Sequence, residues 1–265
     1  MKSFSKKAVL LAAIILKVAT AFAQFPLGEV LFLSNSDLKE GADADNFAGY
    51  VNDVSASWSK TFPGSTIAVM KSDRGDQKGE SILVCTVAKT DELNKLSSGS
   101  PFAKSQLSGL SDYLTSPAAF TEYHLIAPGT IKSLPTLGIL GIHYIKVKKD
   151  KSAAFEKFVN DKLHPAVGHV MPDMQLLYYK AVAGEHKGTY ITVFAITSYE
   201  ARERMWPTGG AEQDVVKTSF SPHKELGKEL ATTYFVEDSY LGPESGGGAA
   251  YWESREWTDY LYDLK

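Results

Sequence analysis

Histidine is the side chain that exchanges a proton near neutral pH, and two of the six in this chain share one short segment, His164-Pro-Ala-Val-Gly-His169. The residues before it follow a helical pattern. Counted at about 100° per residue from Phe155, the apolar positions Phe158, Val159, Leu163 and Val170 fall on one side. His169 falls on that side and His164 about 140° away, so the pair is not expected to hold one metal ion. Pro165 removes a backbone donor and disfavours helix at His164, which predicts a kink or bulge. His169 is the candidate catalytic residue, as a general base or an axial ligand to haem. Its alternative is a partly buried histidine hydrogen-bonded near a helix end.

A candidate ligand-binding set stands beside it: His143, Tyr144, Tyr179, Phe194 and Trp206, suited to a small, mainly apolar or aromatic molecule. His143 is matched with Leu31 earlier in the chain, and a polar group there is either a pocket wall or a satisfied core histidine. Glu122 and Glu237 occupy matching positions; they could do acid-base work, or serve as charges on an edge strand. The Gly-x-x-Lys-Gly segments at Gly75–Gly79 and Gly184–Gly188 fit hairpin turns better than anion cradles. Cys85 stands in an apolar run and reads as a small core residue. Asp43-Ala-Asp45 and Asp73-Arg-Gly-Asp76 lack the ligand count of a calcium loop, and no metal site is expected. Signatures of serine hydrolases, zinc proteases, thioredoxins and P-loop proteins do not occur.

The elements that must position these groups occur twice. Phe47-Ala-Gly-Tyr-Val-Asn-Asp53 matches Phe155-Glu-Lys-Phe-Val-Asn-Asp161 at an offset of 108. Pro63, Lys71 and the Gly75–Gly79 turn find partners 109 residues on, and Phe120-Thr-Glu122 answers Phe235-Val-Glu237. So many matches in one order indicate duplication. Each copy reads β-α-β-β-α-β, the split βαβ or ferredoxin-like order. In the second copy the expected strands are Leu140–Val147, Gln175–Val182, Thr189–Ile196 and Thr233–Tyr240. Ser81–Val87 and Tyr190–Ile196 are nearly continuous apolar runs, the pattern of strands covered on both faces.

Element order, duplication and doubly covered strands together resemble the dimeric α/β-barrel superfamily in a fused, tandem form. The resemblance implies an α+β fold, with two ferredoxin-like repeats packed sheet to sheet as an intramolecular α/β barrel. It implies a pocket between the sheet and a helix or loop, in the barrel interior. The activities it brings range from cofactor-independent monooxygenases on aromatic compounds, through haem-using or haem-degrading enzymes, to small ligand-binding proteins. The cofactor stays open: haem is compatible, and no residue requires it.

The chain has 265 residues, 44% hydrophobic and 22% charged, which excludes a disordered polymer. Lys2, Lys6 and Lys7, the apolar run Ala8–Leu16 and Ala21-Phe22-Ala23 have the layout of a secretory signal peptide cleaved after Ala23. Cleavage removes four lysines and no acid, taking the net charge from −3 to −7, which disfavours nucleic acid as a partner. The expected organisation is a signal peptide (1–23), repeat one (24–136), repeat two (137–242), and a Gly-rich linker with an aromatic tail (243–265). The tail carries too much apolar surface to hang in water, and is expected to close the barrel, cover the pocket or join subunits in a homo-oligomer. The first functional expectation is an exported, periplasmic or extracellular protein that binds a small molecule, with no membrane contact after cleavage. A monooxygenase-like or haem-dependent oxidoreductase and a structural assembly role stand as alternatives.

Overall fold

The apolar runs of the sequence become strands with both faces covered. The computed structural model describes residues 27–35, 38–74, 81–96, 108–115, 120–127, 131, 139–207, 214–236 and 258–262. The signal-like segment, the Gly75–Gly79 turn and Glu237 lie outside them. In the first half, strand β1 (Val30–Asn35) leads into helix α1 (Ala44–Thr61). Strands β2 (Ile67–Arg74) and β3 (Ser81–Val87), the short helix α2 (Leu110–Tyr113) and strand β4 (Thr121–Leu125) follow. Asp43 starts α1 by accepting from the Asn46 N–H at 3.0 Å. Phe47, Val51, Val54, Trp58 and Phe62 then recur at helical spacing and are buried against the sheet.

The second half repeats this order through strand β5 (Ile139–Ile145), helix α3 (Ser152–Phe158) and helix α4 (His164–Val167). Strands β6 (Met174–Ala183) and β7 (Tyr190–Ile196) form a hairpin whose turn has Gly184 and Gly188 at φ near +90°, as the sequence required. Helices α5 (Tyr199–Met205), α6 (Asp214–Phe220) and α7 (Lys224–Glu229) precede the closing strand β8 (Thr258–Tyr262).

Hydrogen-bonded neighbours run β1-β3-β2-β8-β5-β7-β6-β4, and the ladder returns to β1 to close a barrel. Each half contributes four strands in ferredoxin-like order, β4-β1-β3-β2 and β8-β5-β7-β6. The halves meet edge to edge through the β4·β6 and β2·β8 ladders, a junction more specific than the face-to-face stacking expected. Alternation along the strands sends Leu31, Leu33, Ile142, Leu177 and Val193 into the lumen. The opposite face packs on helices, around Trp58 in the first half and Phe155 in the second.

Two expectations need correction. Among the described residues of the expected last strand, Thr233–Val236, no strand forms: Tyr234 ends a π-helix, and Phe235 makes one isolated bridge with Val147. The slot between β2 and β5 is filled instead by Thr258–Tyr262, so this segment of the tail is a part of the sheet. Helix at His164 is also retained, with φ −61° and ψ −43°. The bulge sits just before it, as the π-helix Val159–Leu163. There the His164 N–H donates to the Val159 carbonyl five residues back, and the wider turn accommodates the Pro165 ring.

Removing residues 258–265 should leave β2 and β5 as bare edges. The expected outcome is a lower melting temperature and self-association, read by calorimetry and by light scattering during size exclusion.

Candidate functional site

The nominated residues separate onto the two faces of one sheet. Side chains alternate along a strand, so the neighbours His143 and Tyr144 point in opposite directions. Tyr144 and Tyr179 belong to the lumen, while Phe194 and Trp206 pack in the helix layer of the second half. His143 joins that second group, its ring 5.1 Å from that of Phe194, which meets Trp206 edge-on at 5.9 Å. The six candidates therefore do not line one pocket.

His143 is fully buried, and burial pushes its pKa down to about 3, so the imidazole is neutral at physiological pH. Its match in the first half also changes. His143 pairs with Thr192 and Ser34 with Leu83, and Thr192 follows Leu83 by the 109 residues of the repeat offset. The equivalent of His143 is therefore Ser34, a buried polar residue, rather than Leu31.

His169 lies just beyond α4 and is half-buried. Its ring stands edge-on to that of His164 at 5.3 Å, so the two histidines expected to diverge are neighbours. The helix that holds His164 ends at Val167 and the chain turns at Gly168 and His169, so the angle of an ideal α-helix does not apply between them. Gly168 supplies the room: a Cβ there would come within 2.6 Å of His164 Nε2. This histidine pair lies apart from the lumen.

Tyr179 is committed elsewhere. Its hydroxyl donates to the Gly28 carbonyl at 2.8 Å inside the barrel, tying β6 to the start of the first half. Burial raises its pKa, and that of Tyr123, well above the ordinary tyrosine range. Tyr144 is pushed up to about 12 by the same cause. Both Tyr123 and Tyr144 hydroxyls thus keep their protons at neutral pH and can donate hydrogen bonds.

These two tyrosines mark one end of the lumen, beside the β6–β7 turn. The ring of the half-buried His186 lies 5.5 Å from that of Tyr144. Glu185 and Tyr144 lie near enough to Tyr123 to help keep its hydroxyl protonated. The sequence assigned His186 only to a turn, yet a signal was present: the matching turn has Gln77, and an imidazole replaces it here.

Glu122 is not an edge-strand charge, because β4 is paired on both sides, with β1 and β6. Its carboxylate meets His124 Nε2 at 2.6 Å on the outer face. Cys85 is a core residue of β3, its thiol pKa raised by burial. Among the described residues no group of three His, Cys, Asp or Glu could hold a metal ion, and no helix is long and apolar enough to cross a membrane. Haem does not fit the nominated residues. His143 is enclosed under Phe194, His169 faces His164, and neither lines the cleft on the helix side, bounded by Met171, Met205 and Val215.

No protein-family model matches this sequence, and no curated protein does. Solved structures do match in shape. A candidate monooxygenase from Lactobacillus acidophilus is 10% identical, with a TM-score of 0.45, over 72% of this chain and 87% of that one. An anthrone oxidase-like protein is 12% identical, with a TM-score of 0.47, over 88% and 90%. A ferredoxin-fold protein from Listeria monocytogenes, related to antibiotic biosynthesis monooxygenases, is 11% identical, with a TM-score of 0.37, over 91% and 98%.

The buried His143 gives a pH dependence. On unfolding its pKa returns to the ordinary 6.5, so below that pH the unfolded chain binds a proton that the folded chain refuses. The stabilisation is complete above pH 6.5 and is lost as the pH falls towards 3. Urea unfolding should lose about 1.4 kcal/mol per pH unit between about pH 6 and 4 from this group, a slope missing in His143→Leu.

Proposed function

We propose that the barrel lumen takes a small, mainly apolar or aromatic molecule at the end marked by Tyr123, Tyr144 and His186. The chain then acts on it as a monooxygenase-like oxidoreductase without a bound cofactor. The observation that carries this reading is the meeting of two protonated tyrosine hydroxyls and one half-buried imidazole at the end of an apolar lumen.

That arrangement suits an aromatic substrate bearing an ionisable hydroxyl. His186 accepts the hydroxyl proton, and the tyrosines donate hydrogen bonds to the resulting oxyanion. The apolar walls exclude water, and the electron-rich ring of a hydroquinone reduces dioxygen, the co-substrate and oxidant: one oxygen atom replaces a ring C–H by C–OH, the other leaves as water with the two hydroxyl hydrogens, and the product is the hydroxyquinone. The helix-side residues His143, Phe194 and Trp206 serve in this reading as packing, and His169 has no part in the proton transfer.

The same proposal describes an exported protein formed by duplication. Support for export comes from the basic, apolar and Ala-Phe-Ala order of the first 23 residues. Support for duplication comes from the repeat offset and from two halves with one strand order.

The test is oxygen consumption with naphthalene-1,4-diol, corrected for spontaneous oxidation. Catalysed uptake is expected, with kcat/KM lowered by about 100-fold in His186→Ala and by about tenfold in Tyr144→Phe. Uptake unchanged in both variants, or none above the spontaneous rate, would overturn the reading.

A further inference from the structure

A second site lies outside the barrel. The turn Met171–Asp173, helix α5 and the start of α6 enclose a cleft of about 400 Å³. That volume is within the range of small-molecule pockets. Met171, Met205 and Val215 give it an apolar, deformable lining, since methionine adapts its shape to what it contacts. Its charged groups are Asp173, Arg204 and Asp214. Arg204 Nη2 is committed to Asp173 Oδ2 at 2.8 Å, which cancels one charge of each sign. Asp214 makes no ion pair with a described residue. Among the described residues, the cleft thus presents an apolar wall and one carboxylate outside any ion pair.

We propose that this cleft binds a small organic cation, an ammonium group carried on an apolar or aromatic arm. The ammonium pairs with Asp214, and the arm lies against Met171 and Met205. A carboxylate-bearing molecule of the same shape would meet Asp214 as a like charge and would find Arg204 already occupied. The proposal does not depend on the lumen reading, since none of the lumen residues lines the cleft.

The experiment uses the full chain with its methionine methyl groups labelled with carbon-13. It is titrated by NMR with 2-phenylethylammonium, with neutral 2-phenylethanol and with phenylacetate. The ammonium compound is expected to shift the Met171 and Met205 methyl signals saturably, and to bind roughly tenfold more tightly than the alcohol. Asp214→Asn should remove that advantage. Val215→Lys, a second surface change that adds a positive charge at the rim, should weaken the ammonium compound and spare the alcohol. Equal affinity for all three compounds, an Asp214→Asn variant that keeps the preference, or shifts confined to other methionines would overturn the proposal.

Discussion

The structure depends on a rule of the backbone: a strand inside a protein must pair both of its edges, because an unpaired row of N–H and C=O groups is costly when buried and adhesive when exposed. A four-stranded ferredoxin-like sheet leaves two edges. Here β4 finds β6 and β8 finds β2, so each half supplies what the other lacks and the ladder closes. The enclosed faces can then be apolar from end to end, and the helices cover the outside. The polar groups near the β4·β6 junction are correspondingly paired, Glu122 with His124 and Lys180 with Glu156, each at 2.6 Å.

Closure divides the chemistry of the molecule in two. Tyrosines that face the lumen keep their protons because burial disfavours the phenolate, and His143 stays neutral because burial disfavours the imidazolium. The first effect leaves donors at the end of the lumen. The second removes a base from the helix layer. A residue's face, rather than its type, decides which of these it becomes.

Much of the architecture was legible in the residues. The unbroken apolar runs Ser81–Val87 and Tyr190–Ile196 gave strands covered on both sides. Pro165 signalled a kink or bulge, which the chain takes up just before it as the π-helix at Val159–Leu163. What could not be read was long-range pairing. Phe235 matches Phe120 by sequence, yet the strand slot goes to Thr258–Tyr262, because occupancy is settled by competition between distant segments. The grouping of the candidate residues divides between two faces for a local reason: apolar runs without alternation carry no marker of facing. His143 and Phe194 were therefore grouped with Tyr144 and Tyr179, from which a whole sheet separates them.

The position of β8 in chain order bears on biogenesis. Synthesis runs from the amino end, so every other strand leaves the ribosome before the one that seals the ring. Until then β2 and β5 have no neighbour on that side. A chain whose last strand is not yet in place therefore has two backbone rows, on β2 and on β5, open to any other strand.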